Sequence, residues 1–116
     1  MARMQEVRRA DDGELCGHVV AHDDEWHALT VFGGVLGAHP SRDDAERHVL
    51  GDGLSSLAER WEYRPGPDGE WQVVCIQEAR PGWVRLALDY YSMPGVPTAT
   101  VTAADLAAGA ALRRNR

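Results

Sequence analysis

The chain has 116 residues, 44% of them hydrophobic and 26% charged, and a formal net charge of −6. Its length is about that of one domain, and its composition is typical of a folded protein rather than a disordered one. The negative net charge disfavours nucleic acids and anionic membranes, because both repel a protein of the same sign. We therefore expect no nucleic-acid partner and no membrane partner.

The cysteines and the hydropathy pattern indicate a reducing compartment. Cys16 and Cys75 are far apart and form no C-x-x-C pair, which favours free thiols. The first residues lack the apolar segment of a signal peptide, and no apolar run approaches the ~20 residues of a membrane-spanning helix. We expect a cytoplasmic protein.

Residues 1–13 are polar and charged, and we interpret them as an N-terminal arm before a single α+β domain over residues 14–116. That domain begins with two strand-like segments on either side of an acidic turn. With a two-residue turn at 23–24, Val20 lies opposite His27 in the resulting hairpin.

Both predicted helices begin at a hydroxyl residue followed three positions later by an aspartate, which is the pattern of an N-terminal cap. The first helix begins at Ser41 and is expected to end near Gly51. The second begins at Thr102 and is expected to extend to Leu112. Each half of the chain thus reads strand, strand, strand, helix, either by duplication or by convergence.

The central segment, 61–91, is predicted to be a three-stranded antiparallel meander with a loop at 65–69 and a turn at 81–82. Strict alternation along the strands gives the meander one apolar core face. The residues expected on that face are Trp61, Tyr63, Trp71, Val73, Cys75, Val84, Leu86, Leu88 and Tyr90.

The opposite face of the meander is too apolar to be left in water, and we interpret it as a binding surface. Glu78 and Arg85 are expected to form a cross-strand ion pair there. The residues predicted to bind a partner are Val74, Ile76, Trp83, Arg85, Asp89 and Tyr91. A surface of this kind favours a homodimer or a complex with another protein.

A metal site is the main chemical alternative. Cys16, His18, His22 and His27 are expected on one face of the first hairpin, and they carry ligand atoms that zinc prefers. His18 and His22 are four strand residues apart, about 13 Å, so one ion does not easily reach both. We therefore expect no bound metal and no cofactor.

The sequence contains no motif that names a reaction, such as a nucleophile elbow or a phosphate-binding loop. We expect an α+β fold: an antiparallel sheet in βββα-βββα-like order with two helices packed on one face. The expected function is that of a small acidic protein-interaction or regulatory module. The alternative is a small-molecule-binding protein or enzyme with a pocket between sheet and helix, near Trp61, Trp71 and residues 94–97.

Overall fold

The computed structural model describes residues 4–88, 95 and 97–115. The chain divides into two compact units, Met1–Ser56 and Leu57–Arg116, each built on its own antiparallel sheet. The α+β class is confirmed, and the strands form sheets of four and five rather than one sheet. Among the described residues, no helix is both long and apolar enough to cross a membrane. A single domain over 14–116 stays a prediction.

The first unit is a four-stranded meander followed by a helix. Its elements are β1 (Gln5–Arg8), β2 (Leu15–His22), β3 (Glu25–Leu29), β4 (Val35–His39), α1 (Arg42–Asp52) and a 3₁₀ turn (Ser55–Ala58). The strands lie in the order β1-β2-β3-β4. The predicted register is confirmed, with Val20 opposite His27 and the turn residue Asp23 at φ 56°. Part of the stretch predicted to be a polar arm forms β1, because Val7 is buried there.

Helix α1 covers one face of this sheet. Ser41 caps it as predicted, since its hydroxyl accepts a hydrogen bond from the Asp44 N–H at 3.2 Å. Ala45 and Val49 are the buried helix residues, both fully inaccessible to solvent. The other buried members of this core are Val7, Cys16, Val19, Ala28 and Leu36.

Gly17 allows a close approach of helix α1 and the sheet. A Cβ atom added there would lie 2.1 Å from the Leu29 carbonyl oxygen and 2.9 Å from Val49 Cγ1, at a φ of +157°. The backbone would have to move to accept a side chain, and overpacking of this kind costs about 1–3 kcal/mol.

We predict that Gly17→Ala lowers the free energy of unfolding by about 2–3 kcal/mol in urea denaturation. The matched control is Gly66→Ala, since an added Cβ at Gly66 meets no atom within 4 Å. That control should change stability by less than about 0.5 kcal/mol. Equal losses in the two variants would contradict the close packing at Gly17.

The second unit is a five-stranded sheet with one short helix. Its elements are β5 (Arg60–Arg64), β6 (Gln72–Arg80), β7 (Trp83–Ala87), β8 (Thr98–Thr102), α2 (Ala103–Ala107) and β9 (Ala111–Arg114). The strands lie in the order β8-β7-β6-β5-β9, so β6 is the central strand.

The second helix is shorter than predicted. Thr102 and Asp105 form the expected capping box, but the helix ends at Ala107 and Gly109 follows at φ 119°. That conformation is accessible to glycine and turns the chain away from the helix axis. The predicted helix 103–112 is therefore wrong after Ala107, and its last two residues, Ala111 and Leu112, pair with β5 as the beginning of strand β9.

The register of β6 differs from the prediction because of a bulge at Gln77. Beyond the bulge, Glu78 lies opposite Arg85 as expected. Before it, the pairings with β7 are displaced by one residue, so that Ile76 and not Gln77 lies opposite Leu86. The pairings with β5 are also displaced by one residue, with Trp61 opposite Val74 and not opposite Val73, because the connection between β5 and β6 is one residue longer than predicted. An extra residue in one strand reverses the side-chain alternation beyond it.

As a consequence, the β6 residues on the buried face of this sheet are not the ones that were predicted. Trp61, Val84 and Leu86 are buried as predicted. The predicted core residues Trp71, Val73 and Cys75 are wrong, because they are half-buried and belong to the opposite face. The largest fully buried side chains of the sheet are Trp61, Val74, Val84, Leu86 and Val101.

Both thiols are free, but their accessibility differs. Cys16 is 1% exposed in the core of the first unit, whereas Cys75 is half-buried. We predict that a thiol reagent modifies Cys75 in the native protein and reaches Cys16 only on unfolding. Cys75→Ser should remove the fast phase of the reaction and Cys16→Ser should retain it. A fast phase that persists in Cys75→Ser would contradict the corrected register of β6.

Candidate binding surface

The face of the five-stranded sheet opposite the buried Trp61 is lined by arginine and tryptophan, and we call it the Arg–Trp face. Its aromatic, charged and central residues are Arg60, Glu62, Arg64, Trp71, Val73, Cys75, Glu78, Arg80, Trp83, Arg85 and Arg113. Within the described part of the chain, this set has five guanidinium groups and two carboxylates. Residues 57–116 contain seven arginines and seven acidic residues, so the positive surplus arises from how the sheet sorts them.

One end of the Arg–Trp face is organised around Trp71. The guanidinium carbon of Arg113 lies 3.9 Å from the centre of this ring, and that of Arg64 lies 4.8 Å from it. Arg113 Nε also donates a hydrogen bond to Glu62 Oε1 at 2.8 Å. Cation–π contacts contribute about 0.5–1 kcal/mol each at exposed sites, and they hold the guanidinium groups in place.

The other end repeats this arrangement around Trp83. The guanidinium carbon of Arg80 lies 4.1 Å from the ring centre and that of Arg85 6.0 Å from it. Arg80 also bonds Glu78 at 2.9 Å. About nine strand residues of β6 separate the two ends, which corresponds to about 30 Å.

Along β6, the middle of the Arg–Trp face is less polar than its two ends. Val73 and Cys75 lie there on β6, both half-buried. Along β6, the face therefore has two cationic, aromatic ends and an apolar centre, and Arg60 and Glu62 of β5 lie opposite Cys75 and Val73 at this centre.

The predicted binding residues are only partly brought together. Trp83 and Arg85 lie on the Arg–Trp face, as expected. Val74 is 0% exposed and cannot contact a partner. Ile76 lies two residues further along β6 and still before the bulge, so its side chain is on the same side of the sheet as that of Val74. The remaining two, at positions 89 and 91 (Asp89 and Tyr91), lie outside the described residues.

Of the arginines that stack on tryptophan, Arg85 was predicted from the sequence, whereas Arg64, Arg80 and Arg113 were not among the predicted binding residues. Arg64 and Arg80 each follow a glutamate by two positions, which is the spacing of a solvent-facing strand row. The sequence therefore contained a signal for the solvent-facing position of Arg64 and of Arg80. Arg113 carried no such signal, because its segment resembles a helix and becomes a strand only by pairing with β5.

The corrected position of Val74 can be tested by truncation. We predict that Val74→Ala lowers the free energy of unfolding by about 2 kcal/mol, because it removes buried methyl groups and leaves a cavity. Val73→Ala, at a half-buried position, should cost less than about 1 kcal/mol. Urea denaturation of the two variants measures both values, and the opposite order would restore the original register.

The predicted metal ligands of the first unit are not gathered. His22 and His27 do share a face, with stacked rings 4.9 Å apart, and His18 lies on the same side of β2. Cys16 belongs instead to the core under α1, because the β1–β2 register shifts beside it. Within the described ranges, no group of three or more His, Cys, Asp or Glu side chains could hold a metal ion.

A second histidine pair, which the sequence did not indicate, joins β4 to α1. His39 Nε2 and His48 Nδ1 are 2.8 Å apart, a hydrogen-bond distance. His48 Nε2 lies 3.3 Å from Asp52 Oδ2. Since the two nitrogens of His48 point to different partners, these three side chains form a chain and do not converge on one ion.

Comparison of the chain with protein-family models, with curated proteins and with solved structures found no match.

Proposed function

We propose that the protein is an interaction module that binds an extended acidic segment of a partner protein along its Arg–Trp face. The observation that carries the proposal is the pair of tryptophans, each with two arginine side chains beside its ring. A guanidinium group held in this way loses little conformational entropy on binding, and its fork of donors matches a carboxylate.

The length and the polarity of the face specify the partner segment. An extended chain covers about 30 Å with nine or ten residues. The positive surplus calls for carboxylates, and these belong at the two ends, where Trp71 and Trp83 hold the arginines. Apolar side chains fit the middle, beside Val73 and Cys75.

A polypeptide fits this face better than a nucleic acid. Bases bind tightly where aromatic rings are open for stacking, whereas the ring of Trp71 already contacts Arg64 and Arg113. The net charge of −6 also opposes a polyanion more strongly than a short segment with a few carboxylates.

The alternative of a small-molecule pocket receives less support. Trp61 and Trp71 were expected to line it together. In the sheet, Trp61 is fully buried with Val74, while Trp71 belongs to the Arg–Trp face. A pocket lined by both rings does not agree with this placement.

We predict that the 116-residue chain binds a labelled peptide of about ten residues with glutamates at both ends and leucine and valine in the middle. Fluorescence anisotropy measures the dissociation constant. The double variant Arg80→Gln, Arg113→Gln should weaken binding at least about tenfold, since hydrogen bonds to charged groups contribute about 1.5–3 kcal/mol each.

The matched control is Arg8→Gln, Arg47→Gln, which removes the same charge from two exposed arginines of the first unit. It should change the dissociation constant by less than about twofold, because long-range attraction between exposed charges is screened. Equal weakening by both double variants, or no binding of the peptide, would overturn the proposal.

Two other occupants of the Arg–Trp face are separate outcomes of this experiment. Binding of a single-stranded oligonucleotide of equal length, without binding of the peptide, would assign the face to nucleic acid. A dimer in light scattering that Arg80→Gln, Arg113→Gln dissociates would assign it to a second copy of this chain. Either result would overturn the proposal of an acidic partner segment.

A further inference from the structure

The histidine pair of the first unit lies where the edge strand β4 meets α1. The rings of His39 and His48 are nearly perpendicular, with centroids 5.0 Å apart, so a nitrogen of each can face the other. Gly37 makes room for this contact, since an added Cβ there would lie 2.9 Å from His48 Cε1. The pair is thus packed closely against the strand that it joins to the helix.

The hydrogen bond between the rings limits how many protons they carry together. If His48 Nε2 carries its proton towards the Asp52 carboxylate, the neutral His48 ring accepts at Nδ1 and His39 donates from Nε2. A proton added at His39 Nδ1 leaves the contact intact, because that nitrogen does not face His48. A second would place hydrogens on both facing nitrogens, and the 2.8 Å contact would have to open.

The charged groups of α1 around the pair are largely engaged with each other. The carboxylate of Asp52 is the acidic group that faces His48. One turn earlier, Asp44 accepts a hydrogen bond from Arg47 at 3.0 Å, and Arg42 pairs with Glu46. Asp52 contacts His48 Nε2 and therefore supplies no acceptor between the two facing nitrogens.

The neighbouring strand adds an uncharged side chain on this side of the sheet. Trp26 of β3 lies opposite His39. The titratable residues of that strand, Glu25 and His27, alternate with Trp26 and so point away from the pair; their side chains are 3.9 Å from each other.

We propose that His39 and His48 form an acid-sensitive clasp, which holds β4 against α1 at neutral pH and opens when both rings are protonated. Histidine gains its proton in the range from about pH 8 to about pH 5. In that range the unfolded chain takes up a proton on each ring, whereas the closed clasp takes up one for the pair. Stability rises with pH wherever the unfolded state binds more protons, so acid destabilises the clasped unit.

The test compares unfolding of the wild type and of His48→Gln in urea at about pH 7.5 and about pH 5.5. Glutamine offers an acceptor and a donor but takes up no proton. The unfolding constant of the wild type should rise about tenfold more between the two conditions than that of the variant, which corresponds to about 1.4 kcal/mol. His22→Gln removes a histidine from the other face of the sheet and should keep the wild-type response.

Nitrogen NMR of the imidazole rings counts the protons directly in the folded protein. We expect one neutral ring in the pair wherever the amide signals of β4 show the native fold. Two doubly protonated rings in the native protein, or an equal pH response in wild type and His48→Gln, would overturn the proposal. If His48→Gln does not fold, the same comparison is made with His39→Gln, which removes the other titratable ring of the pair.

Discussion

The extra residue Gln77 in the central strand β6 decides how the second unit is sorted into a core and a surface. Under strict alternation, Val74 would share its face with Glu78 and Arg80, and burying the valine would also bury two charges. The bulge removes this conflict, because Glu78 pairs with Arg85 on one side while Val74 stays buried on the other. Each buried aliphatic side chain stabilises the fold by about 1.5–3 kcal/mol, which favours the bulged strand over a regular one.

The same sorting creates the Arg–Trp face. Once Val74 and Trp61 occupy the buried side, Trp71 and the arginines beside it must lie on the other side. The buried side chains that stabilise the sheet and the proposed binding surface thus lie on opposite faces. The proposed function depends on the surface alone, so substitutions of Arg80 or Arg113 should affect binding without loss of the core.

The first unit shows a comparable dependence on a small residue in a strand. Gly37 lets the ring of His48 lie against β4, and His39 then reaches it across the end of the strand. The contact joins an edge strand to the helix through a hydrogen bond between two titratable groups.

Short-range signals in the sequence determined the local structure. The caps at Ser41 and Thr102 and the first hairpin were predicted, because each depends on residues within a few positions of one another. The bulge at Gln77, the strand β9 and the stacking of Arg113 on Trp71 required the tertiary structure. In each of these, the decisive energy comes from burial and pairing between distant segments, which the local pattern of either segment does not contain.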